Sequence, residues 1–535
     1  MQIQSMFSKL LFMLLVLVNT VSAQQALYNP SIDIVHYRFD LAVSDSNDVL
    51  KGNTRVVFHV NTQMDTLYLD LIGAGKNGKG MTVHSVMQDS QALPFVHRND
   101  SLLVGLQANA GENKTIAITY SGIPGDGLIF SRNKAGQRTI FGDNWPNRAR
   151  NWLPCKDHLS DKATVEFIVT APGHYKIVAN GSLQEEKALP NGLKRTHWKE
   201  SVPIPTKVMV IGAADFAVSD AVRVGHIPVT SWIFPQQRQA GFTDYAPAAD
   251  ILSYFIRKIG PYAYSKLANV QSKTIFGGME NAGAIFYAES SVTGKNRATG
   301  LLAHEIAHQW FGDAATEKDW PHIWLSEGFA TEMSQLYLEH LYGADTMRAM
   351  LKTSRKQIIA FTRKQQVPVV DTTKGRDIMK LLNTNSYQKG GWVLHMLRTD
   401  LGDELFWKCV QAYYAAFCNK NASSADLQAV FEKVSGKNLS AFFHQWLYVP
   451  ENPALNLSWK YDETQNEVII RIEQRTAYTF HINLDLELTD GKGRSMVKTI
   501  PVVEKSVEQR FSMEEKPVRL EWDPGCKLLF EEIRL

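Results

Sequence analysis

Two histidines four residues apart with a glutamate between them, His304-Glu305-Ile306-Ala307-His308, are the residues of this chain best suited to chemistry. On a helix, positions four apart share a face, so both imidazoles can turn a ring nitrogen toward one ion. Glu305 lies about a quarter-turn further round. It cannot be a third ligand in that plane, but it can reach a water beside the metal. A catalytic zinc ordinarily takes three protein ligands and keeps a fourth position for water. Glu327, in Trp324-Leu325-Ser326-Glu327-Gly328 after eighteen intervening residues, supplies the third. The pattern predicts one Zn2+ held by His304, His308 and Glu327, with Glu305 as the base of a hydrolysis.

Such a site needs two helices facing each other. The run from Phe311-Gly312-Asp313 to Pro321 reads as the turn between them, with Gly312 closing the first helix and Pro321 near the start of the second. Leu302, Ile306 and Trp310, spaced i, i+4 and i+8, give the first helix an apolar side opposite its histidines. One face then packs inward while the other holds metal.

Composition narrows the class. A chain of 535 residues, 44% of them hydrophobic, exceeds one ordinary core and suggests about three domains. Lys+Arg 57 against Asp+Glu 54, with no long run of like charge, implies neither a nucleic-acid partner nor a membrane-surface patch. Lys9, the apolar run Leu10 to Val18 and then Val21-Ser22-Ala23 fit a secretory signal over residues 1–23, cut after Ala23. The expected location is periplasmic or secreted, with no membrane span after cleavage. Cys155, Cys409, Cys418 and Cys526 are too few and too scattered for a disulfide framework, so buried free thiols are expected.

Periodicity divides the rest. Over residues 24–234 apolar residues alternate, as in Tyr37, Phe39, Leu41 and Val43, Val56, Phe58 and Val60, Ile116, Ile118 and Tyr120, or Val165, Phe167 and Val169. Turn signals at Asn77-Gly78, Pro124-Gly125 and Asn191-Gly192 separate them, which predicts an N-terminal antiparallel β domain. Over 235–450 helical spacing takes over at 245–259, 345–364, 387–401, 404–418 and 424–434, with a strand-like 269–275 leading into Gly277-Gly278. Over 451–535 alternation returns, most plainly at Ile482, Leu484, Leu486 and Leu488 before Asp490-Gly491, and predicts a small C-terminal β sandwich. The fold class is multidomain α+β.

Four ordered motifs now carry a resemblance: Phe276-Gly277-Gly278-Met279-Glu280-Asn281-Ala282-Gly283, His304 to Gly312, Glu327, and Tyr387-Gln388-Lys389-Gly390. With Arg150-Asn151-Trp152-Leu153-Pro154-Cys155-Lys156-Asp157 as a fifth, nearly the whole mature chain resembles the aminopeptidase N family of zinc metallopeptidases. The resemblance implies a thermolysin-like, mainly helical catalytic domain between the two β domains. Many relatives add a long C-terminal helical domain, and none is expected here. It also implies an enzyme acting on peptides with a free N-terminus. Tyr387 resembles the family's oxyanion stabiliser, and Glu280 the carboxylate that holds the substrate's ammonium. Gly277, Gly278, Met279 and Asn281 complete the substrate segment, the glycines allowing backbone to approach an extended peptide.

Aligned on Pro154-Cys155, the chain has Asp143 and Trp145 where relatives often carry a Gln or Glu pair. Asp143 would add a second carboxylate to the amine site and Trp145 would wall the first side-chain pocket; the alternative is that both only pack. Endopeptidase or epoxide-hydrolase chemistry could use the same zinc, and the fold also serves non-catalytic peptide-binding scaffolds. The intact ligand set and Glu305 favour catalysis, since a scaffold needs neither.

Overall fold

The structure, a computed structural model, describes residues 30–373 and 377–533. The expected export signal lies outside them. Two compact units divide the chain: one takes the residues up to Ala249 together with Tyr262–Thr299, the other Asp250–Pro261 together with Gly300 onward.

The first unit is built on the predicted alternation. Its largest sheet has eight strands, with Ile32–Ala42, Leu50–Val60, Asn113–Ile123 and Lys162–Pro172 among them. Tyr37, Phe39, Val56, Phe58, Ile116, Ile118, Val165 and Val169 all point into the core, each at most 1% exposed. Alternation sets the buried face but not strand direction. Ile32–Ala42 pairs antiparallel with Leu50–Val60 and parallel with Lys162–Pro172, so the sheet is not purely antiparallel.

A second kind of sheet positions the substrate motif. Ile227–Ile233, Leu267–Ser272 and Ala284–Ala288 run parallel, drawing strands from both sides of residue 234. All six residues of Leu267–Ser272 are buried, as a strand covered on both faces requires. Gly278–Met279 then pairs antiparallel with Tyr287 and Phe286 as the edge strand.

The second unit carries most of the helices. Ala344–Lys364, Gly390–Leu401, Asp403–Phe417 and Ser424–Ser435 fall close to their periodicity, and Ser423 caps the last through a reciprocal pair with Asp426. The expected helix over 245–259 differs. Tyr245 ends one helix, Arg238–Tyr245, and Ala248–Lys258 forms the next, because Pro247 has no amide hydrogen to continue the first. At the C-terminal end, Ala454–Asp462, Glu467–Gln474, Ser506–Ser512 and Glu531–Ile533 make one sheet, and Ile482–Thr489, Ser495–Val502 and Arg519–Trp522 another. Leu455, Val468, Ile470 and Ile472 from the first, and Leu484, Leu486, Leu488 and Ile500 from the second, are fully buried.

The four cysteines are free thiols, buried except Cys418, which is half-buried. Among the described residues no helix is long and apolar enough to cross a membrane.

Candidate metal centre

The first motif helix, Thr299–His308, ends at its second histidine. Trp310 therefore lies past the helix and not on it, yet it is fully buried and donates from its indole to the Gly260 carbonyl at 3.1 Å. The link to the second helix is more ordered than a plain turn. Ala315–Glu317 pairs in parallel with Lys420–Ala422, and Pro321 falls in a 3-10 turn, Trp320–His322, whose first amide is capped by Asp319. Helix Trp324–Tyr342 follows and presents Glu327 in its first turn.

These elements bring three donor atoms together. His304 Nε2 lies 3.1 Å from His308 Nε2, and Glu327 Oε2 lies 3.4 Å from each. A tetrahedral ion with bonds of about 2.0–2.2 Å separates its ligands by about 3.3 Å, so the triangle has the size a small divalent cation requires. It is the one group of three or more His, Cys, Asp or Glu side chains of that kind among the described residues.

The protonation pattern agrees. His308 Nδ1 is 3.1 Å from the Phe311 carbonyl, which can only accept, and 3.0 Å from Ser326 Oγ. The proton therefore sits on Nδ1, leaving the Nε2 lone pair for a cation. Gly312 makes room for this. Its φ is +118°, and a Cβ there would fall 2.3 Å from Ser326 Oγ and 3.2 Å from His308 Nδ1. Glu305, between the histidines, is buried at 5% exposure.

Tyr387 does not open an α-helix. It stands in the middle of a π-helical turn, Asn385–Lys389, that runs into helix Gly390–Leu401. Such turns re-aim a side chain relative to α-helical phase. The Tyr387 ring lies nearly parallel to that of His304, 17° between planes and 6.1 Å between centroids, which places it beside one of the three candidate donors.

Two glycines allow this approach, and sequence reasoning missed both roles. A Cβ on Gly328 would lie 2.8 Å from the Gly390 carbonyl carbon, and one on Gly390 would lie 3.0 Å from Gly328 Cα. The helix of Glu327 and the turn of Tyr387 thus touch backbone to backbone. A signal was present: Gly390-Gly391 inside a helical pattern is costly unless packing requires it. Helix propensity alone predicts that Gly328→Ala stabilises by up to about 1 kcal/mol. The contact predicts the reverse, a loss of about 1–3 kcal/mol from overpacking, read as a lowered midpoint of urea unfolding.

The substrate motif lies in the first unit. Met279, Glu280 and Asn281 are buried, Gly278 is half-buried and Gly277 exposed. The Asn281 side chain is fully buried, and neither its Oδ1 nor its Nδ2 has a hydrogen-bond partner among the described residues. Asp143, 1% exposed, is engaged by Arg148 at 2.5 Å and by the Thr274 hydroxyl at 3.2 Å. Burial raises its carboxyl, and Arg148 opposes that rise. Trp145, 2% exposed, meets the Phe276 ring edge-on at 6.0 Å.

Residues 34–208 match the family described as the peptidase M1 N-terminal domain, and residues 248–446 the peptidase family M1 domain. The leucyl aminopeptidase of Saccharolobus solfataricus is 27% identical over 455 residues, which are 80% of this chain and 55% of the relative. The crystal structure of Legionella pneumophila aminopeptidase A in complex with aspartic acid has the same fold at TM-score 0.81 and 18% identity, over 95% of this chain and 60% of the other. An M1 zinc metallopeptidase variant from Deinococcus radiodurans matches at TM-score 0.66 and 23% identity, over 79% of this chain and 97% of its own. The chain spans about half the length of the curated relatives it matches.

Proposed function

The chain belongs to peptidase family M1, and from that membership we propose that it is a zinc-dependent aminopeptidase releasing one residue at a time from the N-terminus of peptides. The observation that carries this reading is the triangle of His304, His308 and Glu327 donor atoms at 3.1–3.4 Å, with the His308 tautomer fixed for ligation. His304, His308 and Glu327 would hold a zinc ion, which would supply a water of lowered pKa and a Lewis acid for the scissile carbonyl.

The chain's own residues do the rest. Glu305 accepts the attacking water's proton and returns it to the leaving amine. Tyr387 donates its hydroxyl to the oxygen on which negative charge develops. Glu280 holds the substrate's ammonium, which fixes the register of the peptide and so selects its first bond. Gly277, Gly278, Met279 and Asn281 line the extended substrate, as the edge position of Gly278–Met279 suits strand addition. The segment 1–23 supports export to the periplasm or the exterior. The domains act as an N-terminal β domain at 24–234, a peptidase domain at 235–450 and a sandwich at 451–535.

A panel of aminoacyl fluorogenic amides and their N-acetylated counterparts tests the reading. Hydrolysis confined to free amines, abolished by chelator and restored by zinc, is expected. Equal rates on acetylated substrates would point to an endopeptidase, and no hydrolysis to a scaffold.

Ser326 supplies a quieter test. Ser326→Ala removes one of two groups facing His308 Nδ1, and lost ligand support of this kind weakens metal binding by about 10- to 100-fold. Competition with a chromogenic chelator would measure it; an unchanged affinity would leave orientation of His308 to the Phe311 carbonyl alone.

A further inference from the structure

The loop carrying Gly277 to Glu280 is tied at both ends to other segments of its own unit. At its far end Asn180 Nδ2 donates to the Ala282 carbonyl at 2.8 Å and Lys266 Nζ to the Gly283 carbonyl at 3.1 Å. At its near end the tie is an ionic clamp. Arg148 bonds Asp143 at 2.5 Å and Asp126 at 2.9 Å, and donates from Nε to the Trp145 carbonyl at 2.7 Å. So fixed, it lays its guanidinium 5.9 Å over the Phe276 ring, which Trp145 closes from the side. The second Asp143 oxygen accepts from Thr274.

A carboxylate in that position cannot easily serve a substrate. Asp143 Oδ1 is committed to a guanidinium and Oδ2 to the loop, with 1% of the residue exposed. An incoming ammonium would have to displace Arg148, leaving a buried charge-assisted pair broken.

We propose that Asp143 is a positioning residue: by gripping Thr274, and by holding Arg148 over Phe276, it fixes the loop that presents Glu280, and thereby sets the preference for a free amino terminus without touching the substrate. This rests on the aminopeptidase reading, in which Glu280 binds the ammonium. The segment starts two residues after Ser272, the end of a fully buried strand, and ahead of the edge pairing of Gly278–Met279 its side-chain ties to residues 143–148 run through Thr274 and Phe276. In this chain the grip comes from residues 143–148.

The test is a double-mutant cycle of Asp143→Asn and Thr274→Val in the full chain, with three readouts: KM and kcat on a free-amine aminoacyl amide, zinc content, and hydrogen exchange over residues 274–283. Loss of one buried hydrogen bond is worth about a tenfold change. Each single variant is expected to raise KM about 10-fold with kcat and zinc content near their original values and with faster exchange in the loop. The double variant is expected to be little worse than Asp143→Asn alone, since that substitution already weakens the grip on Thr274 together with the Arg148 pair. A general folding defect would lower zinc content and kcat and leave KM in place. Should Asp143→Asn fold poorly, Thr274→Val alone still carries the test through KM and exchange. A rise in KM for Asp143→Asn with none for Thr274→Val, and loop exchange unchanged in both, would make Asp143 a substrate contact and overturn the proposal; unchanged KM in both would overturn it as well. A parent protein with no preference for free over acetylated amines would instead refute the aminopeptidase reading, and the exchange rates would still decide whether Asp143 holds the loop.

Discussion

Glu305→Gln is expected to keep its zinc and lose nearly all activity, with kcat down by about 10²- to 10⁴-fold, the usual contribution of a positioned general base. The substitution preserves shape and hydrogen-bonding capacity while removing the group's ability to take a proton. His304, His308 and Glu327 are untouched, so metal content by atomic absorption should stay at one per chain. That pairing of results separates base from ligand. A Gln variant with substantial turnover would assign proton transfer elsewhere, and one that had lost its zinc would make Glu305 part of the metal's support.

Tyr387→Phe comes next in size. Removing one donor to a developing oxyanion costs about 10²- to 10³-fold in kcat and leaves KM little changed, because the interaction strengthens only in the transition state. The ring's near-parallel placement beside His304 makes Phe a fair test, since the apolar contact survives and only the hydroxyl goes. Zinc content should not change. A shift confined to KM would reassign Tyr387 to substrate packing.

What could be read beforehand follows from how local each interaction is. His304 and His308 were legible because four residues of helix place two side chains on one face whatever surrounds them. Glu327 was legible from motif spacing, although the ordered link between its helix and theirs, with a parallel strand at Ala315–Glu317, has no comparable signature. Alternation revealed the buried sides of the long N-terminal strands, but Ile32–Ala42 gave no sign of pairing parallel with a strand 120 residues and more away. Tyr387 was identified by its motif and its setting was not, because a π-turn has no periodicity to read and the close backbone approach of Gly390 to Gly328 joins segments far apart in the chain. Asp143 is the clearest case. Its sequence position left open a carboxylate available to the substrate or one that only packs, and the contacts with Arg148 and with Thr274, the latter 131 residues distant, have no sequence signature.

The most direct measurement is the product series from one defined peptide of about ten residues, followed by mass spectrometry over time with the zinc-loaded protein. The expected result is a ladder shortened one residue at a time from the N-terminus, and no cleavage of the same peptide once its N-terminus is acetylated. Internal fragments from the acetylated peptide would contradict it.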